Sequence, residues 1–156
     1  MTDLAEIEAI KRLKYRYMRC LDLKLWEEMA DCLAEDVRSA YGDGRYSFEG
    51  REALLEFFRT RLGPEMITSH HVHQPEIELV GPDRARGTWA LEDTVINTQH
   101  GFTIRGAAFY EDEYRKRGGR WLIQATGYRR IFEELESRQD RPGLRLTANR
   151  WADAAE

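Results

Sequence analysis

Three of the four histidines in this 156-residue chain fall within one short run, at His70, His71 and His73. An imidazole exchanges protons near neutral pH, which suits it to general acid–base chemistry. In the next run of alternating residues, Asp93 falls on the apolar side, where an unpaired carboxylate is costly to desolvate. These residues together predict a pocket that moves protons. The alternative for Asp93 is a place at the rim of the sheet, bonded to backbone.

Two further candidate residues lie in the first predicted helix. Asp22 lies at its end, where a carboxylate is unfavourable with the helix dipole. It is therefore either the N-cap of the next helix or the partner of a catalytic group. Tyr17 belongs to the apolar stripe of the same helix, where packing explains the ring, but a buried hydroxyl still needs a hydrogen-bond partner. A pocket would supply one.

A metal site is the competing interpretation of the histidine run. His71 and His73 share one face of a strand, and a pair with this spacing can chelate a metal ion. Such a site needs further inward-facing ligands, and barrels that bind metal through such a pair seldom begin with three helices. The prediction is therefore no metal, and His100, in a turn, is predicted to lie on the surface.

The spacing of apolar residues predicts three helices before the strands begin. The first helix begins at Asp3, where Glu6 three residues later resembles a capping box. The third helix ends at Gly63-Pro64, a strong stop signal. The predicted spans are 25–33 and 51–62 for the second and third helices, and 37–41 and 45–48 for a hairpin between them.

From residue 67 the apolar pattern changes to a period of two, which predicts strands. Short turns connect four long runs, so the strands form an antiparallel meander. Strands this long must coil, and helices laid across the concave face would enclose a pocket within a cone. The predicted fold is α+β, with three N-terminal helices packed on a strongly curved antiparallel sheet. The four strands span 68–80, 84–97, 102–115 and 120–133.

The composition argues against several classes of partner. Hydrophobic residues make up 42% and charged residues 33%, with a net charge of −4, so no global field attracts nucleic acid or anionic lipid. The start of the chain lacks the apolar core of a signal peptide, and no apolar run approaches the length of a membrane span, which predicts a cytoplasmic protein. Cys20 and Cys32 fit buried free thiols.

The chain is predicted to form one domain, 1–136, followed by a polar, arginine-rich tail, 137–156. Trp151 is an unusual residue to leave in water at such a position. It predicts that the tail docks onto a neighbouring subunit or over the mouth of the pocket.

Five runs of this sequence resemble the SnoaL-like branch of the NTF2-like superfamily. Their order and spacing are most similar to the bile-acid 7α-dehydratases, and more distantly to scytalone dehydratases and hexachlorocyclohexane dehydrochlorinases. The runs are YRYMRCLD (15–22) followed by Trp26, His70 followed by PEI (75–77), GTWALED (87–93), GAAFY (106–110) and GYRRIFEE (127–134).

The resemblance implies the chemistry of the pocket. It implies His70 as general base with Asp22 hydrogen-bonded to it, Tyr17 and Asp93 as further catalytic groups, and Arg130 as a substrate-binding group. It implies no metal or organic cofactor, and a homo-oligomer in which a trimer is favoured over a dimer. The implied reaction is the elimination of water from a hydrophobic, hydroxylated substrate that is steroid-like or polycyclic.

More than one role is compatible with each polar group, and more than one reaction is compatible with this set of groups. Tyr17 donates to an enolate oxygen or to the departing hydroxyl, Asp93 protonates that hydroxyl, and Arg130 pairs with a substrate oxygen or orients Asp93. Isomerase or polyketide-cyclase chemistry in the same fold is one rival. Non-catalytic binding of a small ligand is another, which the number of ionisable pocket groups disfavours.

Strand parity sets one condition on this pocket. Counting along the strand groups His70 with Val72, whereas Ile77 shares the parity of His71. For both His70 and Ile77 to face inward, a bulge near Gln74-Pro75 must shift the register.

Overall fold

In the computed structural model, which describes residues 3–154, three helices lie across one face of a six-stranded sheet. The predicted α+β cone is therefore confirmed. The helices are α1 (Leu4–Leu23), α2 (Trp26–Ala30) and α3 (Arg51–Arg61). The strands are β1 (Leu33–Tyr41), β2 (Tyr46–Glu49), β3 (Met66–Leu79), β4 (Arg84–Asn97), β5 (Phe102–Arg117) and β6 (Arg120–Ser137).

Helix α1 begins where the sequence predicts. Asp3 accepts hydrogen bonds from the backbone N–H groups of Ala5 and Glu6, at 3.1 and 3.4 Å, and so satisfies free donors of the first turn. Glu6 does not complete a capping box, because its carboxylate lies 2.6 Å from Lys116 Nζ and ties the helix to β5. The buried stripe of α1 consists of Ile10, Lys14, Tyr17, Met18, Cys20 and Leu21.

Helix α2 is shorter than predicted. It ends at Ala30, and Leu33, the predicted last residue of the helix, already belongs to β1. The carbonyl of Cys32 accepts a hydrogen bond from the backbone N–H of Ile123 at 2.8 Å, so pairing with β6 replaces the last helical turn. Helix propensity is a weak preference that strand pairing of this kind overrides.

The sheet has the strand order β2-β1-β6-β5-β4-β3. Strands β3 to β6 form the predicted antiparallel meander, and β1 and β2 form the predicted hairpin. A wholly antiparallel sheet is nevertheless wrong, because β1 runs parallel to β6 with Ser39 opposite Thr126. An alternating pattern shows that a strand is half-buried, but not the direction of its neighbour. Gly127 permits this pairing, since a Cβ there would collide with the carbonyl oxygen of Ala40.

The C-terminal tail folds back toward the end of α1. The Trp151 ring is half-buried and its centroid lies 5.1 Å from the ammonium of Lys24. Lys24 in turn donates a hydrogen bond to the carbonyl of Met66 at 2.8 Å. Docking of Trp151 against a neighbouring subunit stays a prediction, as does the domain boundary at residue 136.

Two predictions from composition concern the described residues. Cys20 and Cys32 are free and buried, as predicted. Within residues 3–154, no helix combines the length and the hydropathy that a bilayer crossing requires.

Candidate active site

A cavity of about 880 Å³ lies between the helices and the concave face of the sheet. This volume lies in the range of small-molecule sites. Four of the five residues predicted for the site line it, and the fifth, Asp22, lies behind His70. The aromatic lining includes Tyr17, Tyr41, Phe58, Tyr110 and Tyr128, and the polar lining includes Thr68, His70, Asp93 and Arg130.

His70 and Asp22 form a hydrogen-bonded pair at the wall of this cavity. The Nδ1 atom of His70 lies 2.7 Å from Asp22 Oδ1, and the backbone N–H of His70 donates to Asp22 Oδ2 at 2.8 Å. The hydroxyl of Thr68 donates to Asp22 Oδ1 at 2.9 Å. Asp22 is therefore a partner of the histidine. The N-cap alternative is wrong, because Leu25 occupies the cap of α2.

The protonation of this pair follows from its geometry. Burial raises the pKa of Asp22, but the hydrogen bonds and charge of His70 and the hydroxyl of Thr68 outweigh it, so the net pKa is lower than usual. An ionised carboxylate accepts only, so His70 must donate through Nδ1–H. In the neutral imidazole, Nε2 is then the unprotonated nitrogen and can take a proton from a ligand.

A bulge in β3 turns His70 toward the cavity. Gln74 has a positive φ of 20°, and the register with β4 shifts between His73 and Glu76. The extra residue reverses the parity of the strand, so both Val72 and Ile77 pack against the core. The predicted bulge is confirmed.

Asp93 on β4 and Arg130 on β6 form an ion pair across β5. The Arg130 Nη2 donates to Asp93 Oδ2 at 2.9 Å, and Nη1 donates to Oδ1. Burial alone would lower the pKa of Arg130, but the hydrogen bonds and charge of Asp93 raise it. The Asp93 side chain is only 3% exposed, so the rim alternative is wrong. Both oxygens of Asp93 accept hydrogen bonds from Arg130, which leaves this carboxyl poorly placed to donate a proton to a substrate.

Gly106 opens the path that Arg130 takes to reach Asp93. It lies opposite Asp93 in the β4–β5 ladder, on β5 between the two partners. Strand β6 contains one extra residue, Ile131, between the partners of Ala107 and Ala108. Arg130 therefore lies opposite Ala108. A Cβ on Gly106 would lie 2.5 Å from Arg130 Nη1. A side chain at residue 106 would thus displace the guanidinium.

Tyr17 belongs to a pair of tyrosines at the base of the cavity. Its hydroxyl lies 2.6 Å from that of Tyr41, and both side chains are buried. Burial raises the pKa of both phenols, so both remain neutral hydrogen-bond donors. Tyr128 packs on Tyr41 with ring centroids 5.7 Å apart. Tyr41 is not among the residues predicted from the sequence, although it shares the inward parity of Val37 and Ser39.

The other histidines lie outside the cavity wall or at its mouth. His71 and His73 are exposed on the opposite face of β3, where His73 Nε2 lies 3.0 Å from Glu92 Oε2. In the part of the chain that is described, no three His, Cys, Asp or Glu side chains form a group that could hold a metal ion. His100 is exposed in a turn, as predicted, and contributes to the cavity mouth.

Comparison with known families places this site in context. The family model that describes the SnoaL-like domain matches residues 2–127 of this sequence. The chain belongs to the SnoaL-like family.

Solved structures of similar proteins share this SnoaL-like fold. A candidate scytalone dehydratase from Novosphingobium aromaticivorans is 24% identical, with 84% of this chain and 87% of that chain covered and a TM-score of 0.78. A hexachlorocyclohexane dehydrochlorinase from Novosphingobium barchaimii is 21% identical, with 85% and 91% covered and a TM-score of 0.77. A candidate aromatic-ring hydroxylase from Novosphingobium aromaticivorans is 18% identical, with 90% and 98% covered and a TM-score of 0.78. At these identities the likeness shows the fold alone.

In this SnoaL-like cavity, a base and hydrogen-bond donors face a space lined by aromatic rings. His70 Nε2 can accept a proton, and its charged form is stabilised by Asp22. In the hydrogen-bonded pair of Tyr17 and Tyr41, one hydroxyl donates to the other, which leaves the second to donate to an oxygen on which negative charge develops. The arrangement can therefore move a proton from a carbon or an oxygen of an apolar ligand.

Proposed function

We propose that this protein is a cofactor-independent dehydratase, a lyase that eliminates water from a hydrophobic, hydroxylated substrate. The observation that carries this proposal is the 2.7 Å contact between His70 Nδ1 and Asp22 Oδ1 at the cavity wall. It leaves Nε2 of His70, which lines the cavity, as the nitrogen that can accept a proton. The family and the names of two of the structural relatives, a dehydratase and a dehydrochlorinase, support an elimination reaction.

His70 carries the proton in both directions. Its Nε2 takes a proton from a carbon that a neighbouring carbonyl or conjugated system makes acidic. The electron pair of the C–H bond forms the new double bond by way of an enolate. The C–O bond then breaks with its electron pair, and the leaving hydroxide takes the proton from the His70 imidazolium. The products are an alkene and one water, and the base is regenerated.

The other polar groups hold the oxygens of the substrate. One hydroxyl of the Tyr17–Tyr41 pair donates to the enolate oxygen and the other donates to its partner, since both phenols remain neutral and line the cavity. Arg130 contacts the leaving oxygen or another substrate oxygen. Asp93 orients Arg130 rather than donating a proton, because both of its oxygens accept hydrogen bonds from Arg130.

The proposed substrate is steroid-like or polycyclic. The aromatic lining and the volume of about 880 Å³ suit a rigid apolar body with few polar groups. The sequence resemblance to the bile-acid 7α-dehydratases supports the same class. A homotrimer and a cytoplasmic location stay predictions from the sequence.

A screen in which the reaction products are distinguished by their mass tests this proposal. The purified protein is incubated with hydroxysteroids that carry a conjugated ketone, and the products are analysed by mass spectrometry. Loss of the mass of one water is the expected result. A product of unchanged mass would indicate an isomerase or cyclase, and binding without any product would indicate a carrier; either outcome contradicts the dehydratase proposal.

A further inference from the structure

Lys14 and Asp112 form an ion pair that is wholly buried between α1 and β5. Lys14 Nζ lies 2.7 Å from Asp112 Oδ2, and neither side chain is exposed. Burial lowers the pKa of Lys14, while the carboxylate of Asp112 opposes this fall. Desolvating such a pair often costs more free energy than its attraction returns. Stability of the fold alone is therefore a poor reason for its presence.

The two ends of the ion pair face different surroundings. The Lys14 ammonium lies 3.5 Å from the ring centroid of Tyr110 and 5.0 Å from that of Tyr17, and both rings line the cavity. Asp112 accepts hydrogen bonds from the hydroxyls of Tyr114 and Thr126, each at 2.7 Å, and neither of these two residues lines the cavity. The ammonium is therefore the end of the pair that contacts the cavity wall. The hydrogen bonds of Tyr114 and Thr126 disperse the charge of Asp112, which by itself raises the pKa of Tyr17 and Tyr110.

We propose that Lys14 is a positioning residue that acts through Tyr17 and Tyr110 to make this end of the cavity favour an oxyanion. The inference rests on the proposed function, in which the Tyr17–Tyr41 pair donates one hydrogen bond to the enolate oxygen. A fixed dipole with its positive end toward a water-poor site stabilises negative charge there without reorganisation. Because the hydroxyls of Tyr17 and Tyr41 are bonded to each other at 2.6 Å, polarisation of one acts on both.

A ligand that ionises inside the cavity tests this inference without any turnover. Equilenin is a steroid whose naphthol emits at different wavelengths in its neutral and ionised forms, so fluorescence reports its apparent pKa when bound. We expect the wild type to lower this pKa relative to free equilenin. The double variant K14M/D112N replaces the ion pair by a neutral pair of nearly the same shape. It should raise the apparent pKa of bound equilenin by about 1. Tyr17→Phe should raise it as well, since it removes a donor.

The Glu6–Lys116 pair supplies the matched control. It also joins α1 to β5, with Nζ 2.6 Å from Oε1, but it lies outside the cavity wall. The apparent pKa of equilenin bound to E6Q/K116M should therefore equal that of equilenin bound to the wild type. Circular dichroism and thermal unfolding verify the fold of each variant. If K14M/D112N does not fold, K14M/D112L takes its place, because apolar replacements of buried ion pairs are often tolerated.

Equal apparent pKa values in the folded neutral-pair variant and the wild type overturn the inference, as does an equal rise in the Glu6–Lys116 control. The expected rise supports it even if no hydroxysteroid is dehydrated, in which case only the proposed function fails. With an active substrate, the neutral pair should lower kcat about tenfold and leave KM within about twofold. A change confined to KM contradicts a role in stabilising the oxyanion.

Discussion

The Cα atoms of His70 and Asp93 lie directly opposite each other in the β3–β4 ladder. Side chains in opposite positions begin about 5 Å apart, so one small ligand can contact both neighbourhoods. His70 is bonded to Asp22 of α1, and Asp93 is bonded to Arg130 of β6. A helix and a distant strand thus each supply one charged partner to the same stretch of cavity wall.

Asp22→Asn should remove the fixed tautomer of His70. An amide can donate to Nδ1 as well as accept from it, so the proton is no longer held there. We expect kcat to fall by about 10²–10⁴ with the fold intact. Nitrogen NMR of the histidine ring reports which nitrogen carries the proton.

Thr68→Val is the matched control for this variant, since it removes only the 2.9 Å hydrogen bond to Asp22. We expect it to keep the tautomer and to lower kcat by less than about tenfold. Near-full turnover in D22N would contradict the role assigned to Asp22.

Asp22 should also make the fold sensitive to acid. Its pKa is lower in the folded protein, because the contacts with His70 and Thr68 outweigh burial. Such a carboxyl stabilises the fold above its unfolded pKa of about 3.9, and this contribution is lost as pH falls through the lower folded value. Urea denaturation should show the advantage of wild type over D22N shrinking between about pH 5 and pH 2. A constant difference over this range would contradict the prediction.

Gly106→Ala should disrupt the ion pair of Arg130 with Asp93. The new methyl group would lie 2.5 Å from Arg130 Nη1, so the guanidinium must move. We expect a loss of stability of about 1–3 kcal/mol and a fall in kcat/KM of at least tenfold, measured by denaturation and steady-state kinetics. Gly143→Ala, at a position with open space around it, should change neither quantity. Wild-type kinetics in G106A would show that the placement of Arg130 does not matter.

Arg130→Met should leave Asp93 buried without its partner. Breaking a buried ion pair in this way costs about 3–5 kcal/mol. The double variant R130M/D93N, which also removes the negative charge, should recover part of this loss. Equilibrium unfolding of the wild type, both single variants and the double variant gives the coupling energy. Additive effects would mean that the two side chains are not coupled.

Much of the site was predictable because strand parity and helix spacing determine which side chains face the cavity. Parity placed Asp93 inward, and the conflict between His70 and Ile77 required the bulge that the register of β3 contains. Strand parity in β5 also places Asp112 inward, between the buried Tyr110 and Tyr114, but this acid is not among the predicted site residues.

The remaining contacts depend on distance in space, which sequence patterns do not encode. The pairing of Arg130 with Asp93 needs Gly106 on the strand between them and an extra residue in β6. The parallel pairing of β1 with β6 joins segments far apart in the chain, and it brings Tyr41 to Tyr17. Local alternation in β1 predicts only that one face is buried.

The most direct test of the central claim compares turnover in His70→Ala and His71→Ala. The substrate is one that the wild type dehydrates, and both variants are first shown to be folded. The residues are adjacent in β3, but His70 lines the cavity and His71 is exposed on the other face. We expect H70A to lose at least about 10² in kcat and H71A to stay within about twofold of wild type. Near-wild-type turnover in H70A, or an equal loss in both variants, would contradict the assignment of His70 as the general base.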